Sequence, residues 1–205
     1  MTITPTLELE NELFARNIRF VGGVDEVGRG AIAGPVTVGI AVIDATASEF
    51  PKGLRDSKLM SKTGREKIIT ATQEWVSAYA LGSATALEID EIGIVPALHL
   101  AFTRAYDQLD IKPDHVILDG KHNWIGEQFD VTMKVKADAH CAVVAAASVL
   151  AKVARDAVMG ELDSLHPQFG WKSNVGYGAA SHMDAIRELG ATEYHRRSWN
   201  LPTRL

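Results

Sequence analysis

Short apolar runs alternate along this chain with glycine-rich and charged segments, and their lengths predict strands and helices in turn. Residues 20–24 and 36–43 are rich in valine and isoleucine, which predicts two buried strands. A helix is predicted over residues 62–74 with Ser61 as its N-cap, and residues 75–86 are predicted to form a third strand. The first half of the chain is therefore expected to be mixed α and β.

The second half of the chain continues this alternation. Pro96 is expected just before a helix that runs to about residue 109, and residues 116–118 predict a short buried strand. Residues 129–135 predict another strand, and a long alanine-rich helix is expected from about residue 141 to 159. Alternating elements in a chain of 205 residues indicate one α/β domain with a single substantial core.

Two neighbouring carboxylates, Asp25 and Glu26, follow the first predicted strand without a break. Adjacent side chains of a strand point to opposite faces, so at least one of these charges must face inward and needs a cation as its partner. The next segment, Gly28-Arg29-Gly30, allows a close backbone approach and offers a positive fork that suits phosphate. Arg29 by itself equally suits an ion pair with either acid. The pattern predicts an acidic metal site beside a phosphate site.

Two further acids lie close to predicted strand ends. Asp119 ends the strand at 116–118, and open α/β sheets place their chemistry at the carboxyl ends of buried parallel strands. Asp138 lies just ahead of the alanine-rich helix, where it suits a helix N-cap or a charge on the helix dipole as well as a metal ligand. Crowded carboxylates repel each other unless cations lie among them, and oxygen ligands favour Mg²⁺ or Mn²⁺.

Composition excludes several classes of protein. Hydrophobic residues make up 46% of the chain and charged residues 23%, which is typical of a globular protein. The longest apolar stretch, residues 141–151, is too short to span a membrane, and the acidic N-terminus lacks the pattern of a signal peptide. Cys141 is the single cysteine, so no intrachain disulfide is possible and a cytoplasmic location is expected.

The net charge of −5 is unevenly distributed. Residues 1–50 carry seven acids and three bases, whereas residues 166–205 carry five bases and three acids. The C-terminal stretch therefore suits either a landing surface for a polyanion or a solvated helix face. The sequence has no zinc-ligand cluster, no phosphate-binding P-loop and no Gly-x-Ser-x-Gly elbow, which disfavours those three chemistries.

Several motifs follow one another in a fixed order over residues 20–199. The first is Gly23-Val24-Asp25-Glu26-Val27-Gly28-Arg29-Gly30, with Ala33-Gly34-Pro35-Val36 close behind it. The others are Asp56-Ser57-Lys58, Leu118-Asp119-Gly120, Ala146-Ala147-Ser148-Val149-Leu150-Ala151-Lys152-Val153 with Arg155-Asp156, and His195-Arg196-Arg197-Ser198-Trp199. In this order they resemble the ribonuclease HII family. An Asp-Glu pair alone would be a weak signal, but the ordered set is highly specific.

The resemblance implies a ribonuclease H-like fold, with a mixed five-stranded sheet flanked by helices. It also implies a C-terminal helical extension, at about residues 160–205, that contributes to substrate binding. The implied activity is that of a metal-dependent endoribonuclease acting on RNA–DNA hybrids and on duplex DNA that contains ribonucleotides. The cut is expected on the 5′ side of the ribonucleotide, leaving 3′-hydroxyl and 5′-phosphate ends, with two Mn²⁺ or Mg²⁺ ions. We expect a monomer with no membrane partner.

The resemblance also implies roles for individual residues. The four metal-binding and catalytic carboxylates are Asp25, Glu26, Asp119 and Asp138. The nucleic-acid-binding positions are Gly28, Arg29, Gly30, Ser57, Lys58, Lys152 and Tyr177. Tyr177 resembles the tyrosine with which the family reads the sugar at an RNA to DNA junction, although a tyrosine between glycines is in general a loop aromatic. Arg196 and Arg197 suit a substrate contact or simple neutralisation of the acidic face equally well.

The chain departs from the family pattern at three places. Val27 replaces the usual alanine, Ala137 replaces a glycine, and Lys121-His122-Asn123-Trp124 stands where an asparagine is common. Ala137 narrows backbone freedom beside Asp138, so the geometry of that acid is the least secure of the four. An aspartate at the fourth position and a short segment before the first strand disfavour the related ribonuclease HIII.

Two rival functions come from other classes. A non-catalytic nucleic-acid-binding domain on the same fold would be expected to lack one or more of the acids. A magnesium-dependent, phosphatase-like hydrolase would act on small phosphorylated molecules instead of duplexes, and a competition assay would separate it from a nuclease.

Overall fold

A mixed five-stranded sheet forms the centre of the computed structural model, which describes residues 4–203. The strands are β1 (Phe20–Val27), β2 (Val36–Asp44), β3 (Ala78–Ala84), β4 (His115–Asp119) and β5 (Val131–Lys134). Their order in the sheet is β3-β2-β1-β4-β5. β1 and β2 pair antiparallel, as do β2 and β3, whereas β4 runs parallel to both β1 and β5. The fold expectation of a mixed five-stranded sheet is confirmed.

Helices cover both faces of the sheet and continue beyond it towards the C-terminus. They are α1 (Glu8–Ala15), α2 (Lys62–Trp75), α3 (Ala86–Ile92), α4 (Ile94–Asp107), α5 (Ala137–His140), α6 (Ala142–Leu165), α7 (Trp171–Asn174) and α8 (Ala180–Leu189). Short 3₁₀ turns occupy Ser57–Leu59 and Pro167–Phe169. None of the helices in the described part of the chain combines the length and hydropathy needed to cross a bilayer.

Two apolar clusters fill the space between the sheet and its helices. On one face α4 contributes Leu98 and Phe102, both fully buried. On the other face α6 lies unusually close to the sheet, because β1 and β2 present glycines to it. A Cβ added at Gly23 or at Gly39 would come within 2.5 Å of the α6 backbone. This close approach brings one face of α6 directly over the middle of β1.

A third cluster joins the C-terminal helices to the segment that follows β1. Phe169, Trp171 and Ile186 pack against Ala33 and Met159. Residue Ala33 also forms an isolated antiparallel bridge with His195. The loop between β1 and β2 is therefore held from behind by the last third of the chain.

The predicted helix at 62–74 is confirmed, and the Ser61 hydroxyl accepts a hydrogen bond from the Gly64 N–H at 3.1 Å. The predicted strand at 75–86 is too long at both ends. Trp75 still belongs to α2, and a capping box between Thr85 and Glu88 starts α3. Local capping thus ended the strand earlier than its apolar pattern indicated.

Two further boundaries differ from the prediction. Pro96 lies within the first turn of α4, not ahead of it, because the break between α3 and α4 falls at Gly93, whose φ is 83°. The long helix α6 continues to Leu165, beyond the expected end near residue 159. Both helix ends follow from local sequence, the first from Gly93 and the second from Pro167, which directly follows the C-cap residue His166 of α6.

Candidate functional site

The close packing of α6 on β1 buries Asp25, which is only 1% exposed. Burial raises the pKa of Asp25 to about 8; the ammonium of Lys58 opposes this rise, and the charge of Glu26 adds to it. The Oδ1 atom accepts a hydrogen bond from the Glu26 N–H at 2.8 Å, whereas Oδ2 has no partner among residues 4–203. The prediction that one carboxylate faces inward is confirmed.

Glu26 lies at the same edge of the sheet and is partly buried. Its Oε1 accepts a hydrogen bond from Arg29 Nη1 at 3.3 Å, so the ion pair that the sequence allowed for Arg29 does form. The other carboxylate oxygen, Oε2, is buried without a partner in the described residues. Burial raises the pKa of Glu26 and the nearby charge of Asp119 adds to the rise, although Arg29 opposes it.

Asp119 ends β4 beside the carboxylates of β1, because the two strands run parallel and finish at the same edge. Its Oδ1 accepts a hydrogen bond from the Ala137 N–H at 2.7 Å, which ties the end of β4 to the start of α5. Burial raises the pKa of Asp119, and the charge of Asp138 contributes in the same direction. The expected position at the tip of a parallel strand is confirmed.

Asp138 occupies a different setting from the one that the helix-cap alternative requires. It lies inside α5, whereas Cys141 is the N-cap residue of α6 and makes no side-chain cap bond. Asp138 Oδ2 accepts a hydrogen bond from Lys58 Nζ at 3.0 Å instead. The N-cap alternative was therefore wrong.

The alanine at position 137 does not strain the neighbouring acid. The left-handed conformation belongs to Lys136, with a φ of 59°, and not to Ala137. Ala137 lies in the helical region and is fully buried. The expected loss of backbone freedom beside Asp138 therefore does not arise at this position.

Lys58 acts as the internal counter-ion of the acidic cluster. Burial disfavours its charge, but the carboxylates of Asp25, Asp138 and Asp56 outweigh that effect and raise the pKa of Lys58. Within residues 4–203 no three acidic, histidine or cysteine side chains form a ready-made metal-binding group. One cation of the protein itself thus lies among the acids, as their mutual repulsion requires.

A cavity of about 460 Å³ connects the acids to the glycine-rich loop. Its lining residues are Asp25, Glu26, Val27, Gly28, Arg29, Gly30, Lys58, Arg65, Asp119, Lys152 and Tyr177. A neighbouring cavity of about 340 Å³ shares Lys58 and Asp119 with it and is also lined by Asp56, Lys136 and Asp138. Because the two cavities share these residues, we describe them together as a groove across the carboxylates.

Most of the predicted nucleic-acid contacts line this groove, and one does not. Tyr177 is 41% exposed and lies against the first cavity. Lys152 also lines it, with its ammonium 2.7 Å from Asp156 Oδ1. Ser57, in contrast, is fully buried and shares a hydrogen bond of 2.8 Å with the Ser148 hydroxyl. The Ser57 hydroxyl is thus used inside the protein.

The structural roles of three arginines, Arg65, Arg155 and Arg196, were not predicted from the sequence. Arg65 donates to the carbonyls of Ser57 and Met60 and pairs with Asp156, so it holds the loop that carries Lys58. Arg155 and Arg196 are fully buried and donate to loop carbonyls. Neutralisation of an acidic face, one alternative for Arg196, was wrong. A charged residue within the apolar run of α6 was the available signal for Arg155.

The mixed sheet, the flanking helices and the acidic groove at the carboxyl ends of β1 and β4 define a protein of the ribonuclease H-like class. The family model for ribonuclease HII matches residues 22–201. The ribonuclease HII of Streptomyces avermitilis is 46% identical over 196 residues, covering 95% of this chain and 83% of that protein. This chain belongs to the ribonuclease HII family, and it is a nuclease of the hydrolase class.

Solved structures agree with this assignment. Ribonuclease H2 from Pyrococcus horikoshii matches with a TM-score of 0.74 and 28% identity, covering 88% of this chain and 94% of the other. Bst ribonuclease HIII, solved in complex with Mn²⁺, shares the fold with a TM-score of 0.64 and 19% identity, covering 89% of this chain and 67% of its own. The family match supports type HII over type HIII, as the sequence predicted.

Proposed function

We propose that this chain is an endoribonuclease that cuts the phosphodiester on the 5′ side of a ribonucleotide. Its substrates would be RNA–DNA hybrids and duplex DNA with embedded ribonucleotides, and the products would carry 3′-hydroxyl and 5′-phosphate ends. Membership of the ribonuclease HII family supports the reaction class. The proposed substrate and the proposed position of the cut are supported by the residues that line the groove.

The single observation that carries the proposal is the pair of buried, unpartnered carboxylate oxygens, Asp25 Oδ2 and Glu26 Oε2. Both side chains line the same cavity as the Gly28-Arg29-Gly30 loop. Buried anionic oxygens without donors suit a hard divalent cation such as Mg²⁺ or Mn²⁺, so the residues fit the implied metal. Two such ions, when bound, would supply Lewis acidity for the attacking water and the leaving oxygen.

The carboxylates would hold the cations, each from a different element. Asp25 and Glu26 come from β1, Asp119 from β4 and Asp138 from α5. Asp25 is the best candidate for a shared ligand because it is the most deeply buried member with a free oxygen. Lys58 would release Asp138 as divalent ions enter and would then be available to a phosphate of the substrate backbone.

Recognition would fall to the other end of the cavity. A nuclease that finds a ribonucleotide in any sequence must read the 2′-hydroxyl and the sugar, not the bases. Gly28-Arg29-Gly30 would contact the ribonucleotide, and the Tyr177 ring would pack on the sugar that follows it. Tyr177 belongs to the C-terminal stretch, which supports a part for residues 160–205 in substrate binding.

We further propose that the protein works as a cytoplasmic monomer in the removal of ribonucleotides from DNA. Cys141 is buried and unpaired, which suits a reducing compartment. Gel filtration with light scattering tests the monomer directly, and a particle mass of twice 22.2 kDa would contradict it.

The decisive experiment uses duplex DNA with one internal ribonucleotide, incubated with Mg²⁺ or Mn²⁺. We expect a single cut 5′ to the ribonucleotide, and end-labelling would identify the 3′-hydroxyl and 5′-phosphate. An all-DNA duplex of the same sequence and a generic phosphomonoester serve as controls and should remain intact. Turnover of the phosphomonoester without duplex cleavage would favour the phosphatase-like rival.

A further inference from the structure

Two fully buried arginines lie directly behind the glycine-rich loop, and neither has an acidic partner in the part of the chain that the structure describes. Arg155 and Arg196 are both 0% exposed. Within residues 4–203 neither guanidinium forms an ion pair, although the groove bases Arg29, Lys58, Arg65 and Lys152 each do. Burying an unpaired charge is unfavourable unless hydrogen bonds compensate for it, so the partners of these groups reveal what they do.

The guanidinium of Arg196 donates hydrogen bonds to the backbone carbonyls of the glycine-rich loop. Its Nη2 donates to the Gly28 carbonyl at 2.6 Å and its Nη1 to the Arg29 carbonyl at 2.8 Å. The Gly34 carbonyl accepts from Nε at 3.3 Å and from Nη2 at 3.2 Å. One planar fork therefore collects the carbonyls at both ends of the loop on its buried side.

These bonds fix the direction of the opposite sides of the same peptides. The chain has no cis peptide among the described residues, and in a trans peptide the N–H points away from the carbonyl. The N–H groups of Arg29 and Gly30 must therefore point away from Arg196, on the side where the loop lines the cavity. Neither N–H donates to an acceptor within residues 4–203. Two free backbone donors are thus held towards the groove.

Arg155 holds the turn that carries Tyr177 in the same way, through hydrogen bonds to backbone carbonyls. Its Nη1 donates to the Val175 carbonyl at 2.9 Å, while Nε and Nη2 donate to Pro35 and Ala33. Val175 has a φ of 45°, a left-handed conformation that a β-branched residue adopts only under constraint. The Arg155 guanidinium also lies 5.9 Å from the centre of the Tyr177 ring.

We propose that Arg155 and Arg196 are positioning residues for ribonucleotide recognition, which hold the free N–H groups of Arg29 and Gly30 and the ring of Tyr177 towards the groove. The loop and the tyrosine turn come from distant parts of the chain, and Arg155 bonds to both. The inference rests on the proposed function, since it names residues that act through the groups assigned there.

The test compares Arg196→Met and Arg196→Lys in an Asp25→Asn background, where binding is measured without cleavage. Methionine removes every donor, and lysine keeps the charge but lacks the planar fork. We expect Arg196→Met to weaken binding to a ribonucleotide-containing duplex at least about tenfold more than binding to the all-DNA duplex. Arg196→Lys should preserve the fold and still lose most of that preference. Arg155→Lys should do the same.

Leu98→Ala is the matched control, because it weakens the core on the far face of the sheet without touching the loop. It should lower the melting temperature and leave the ratio of the two affinities unchanged. If Arg196→Lys folds and keeps the full ribonucleotide preference, the positioning role is overturned. The same holds if Leu98→Ala reduces the preference equally, since the effect would then follow stability alone.

A second measurement needs no substrate and separates this inference from the proposed function. ¹⁵N relaxation should show the Arg29 and Gly30 amides as rigid as β1 in the parent protein and mobile in both Arg196 variants. If the parent shows no ribonucleotide preference but the amides behave as expected, the proposed function fails and recognition with it, while the result still supports the holding of the loop by Arg196. Amides that stay rigid in Arg196→Met would contradict the positioning role itself.

Discussion

The two ends of the groove are built on opposite electrostatic principles. At one end, acids from β1, β4 and α5 are crowded together, and two buried oxygens have no partner in the described residues. At the other end, two buried arginines donate to backbone carbonyls of the loop and of the turn that carries Tyr177. Within residues 4–203 the acidic end thus has buried oxygens without partners, whereas at the loop end the buried guanidinium groups are bonded and the free N–H groups of Arg29 and Gly30 lie on the side of the groove.

This difference shows which interactions each end leaves for its ligand. Unpartnered buried carboxylates raise the free energy of the folded protein, and an entering cation recovers that free energy as binding affinity. The loop end leaves two N–H donors free within the described chain but holds them in place, and on the proposed function donors that are already positioned would lower the free-energy cost of binding a sugar and a phosphate. On the proposed function, relief of charge repulsion would favour metal binding, and the pre-organised loop would provide discrimination between substrates.

The largest effect is expected from Asp25→Asn. Removal of this charge should reduce cleavage by on the order of 10³-fold or more, because both metal binding and water activation depend on it. Asp119→Asn should behave similarly, and Asp138→Asn should be milder because Asp138 lies at the edge of the site, lining the neighbouring cavity and not the one that Asp25, Glu26 and Asp119 share. Cleavage of the single-ribonucleotide duplex in saturating Mg²⁺ measures all three. If Asp25→Asn cleaves the duplex at the wild-type rate, the acidic end of the groove takes no part in catalysis.

The pH dependence of stability separates the two ends further. The pKa of Asp25 is about 8 in the folded protein against 3.8 for a free side chain, so between these values the unfolded chain binds fewer protons. Stability of the metal-free protein should therefore fall as pH rises through this range. In EDTA, the melting temperature of wild type relative to Asp25→Asn should decrease from pH 5 to pH 8.

Added Mn²⁺ should reverse that decrease, because it occupies the repelling carboxylates. Val116→Ala offers a control, since it weakens the same sheet without changing a charge and should shift the melting temperature equally at both pH values. A pH-independent difference between wild type and Asp25→Asn would mean that Asp25 is ionised throughout.

A smaller effect is expected from the groove lysines. Lys58→Ala should weaken duplex binding at any sequence and flatten the slope of log affinity against log salt by about one unit at most. Lys152→Ala should change the slope less, because the Lys152 side chain is only 15% exposed and its ammonium is bound to Asp156. Lys52→Ala, an exposed lysine outside the groove, is the control. If all three variants give the same slope of log affinity against log salt, Lys58 and Lys152 do not contact phosphates and are ordinary surface charges.

The smallest effect is expected from the hydroxyl of Tyr177. Tyr177→Phe keeps the ring and loses one hydrogen bond, a change of roughly 0.5 to 1.5 kcal/mol in transition-state stabilisation. Tyr177→Ala should be larger and should slow cleavage of single-ribonucleotide duplexes more than cleavage of long hybrids. Values of kcat/KM for both substrates decide the point. Equal losses on the two substrates would show that junction reading lies elsewhere.

Several features of this protein were determined by the sequence itself. The valine- and isoleucine-rich runs predicted β1 and β2, and the position of Asp119 at the end of an apolar run predicted its place at the tip of β4. The ordered motifs predicted the family, which the comparisons confirm. Such features depend on local periodicity or on residue order, and both are readable without knowing which elements touch.

Other features were decided only by the tertiary structure. The pairing of Lys58 with Asp138 joins residues 80 positions apart, and that of Arg196 with Gly28 spans 168 positions. Ser57 belongs to the Asp56-Ser57-Lys58 motif, yet its side chain is buried and hydrogen-bonded to Ser148. Whether a polar side chain meets solvent, an acid or a carbonyl depends on how close two distant segments come. For Ser57 that distance depends on where α6, which carries Ser148, packs on the glycines of β1 and β2, and for Gly28 on where the C-terminal segment folds back, and no local pattern encodes either.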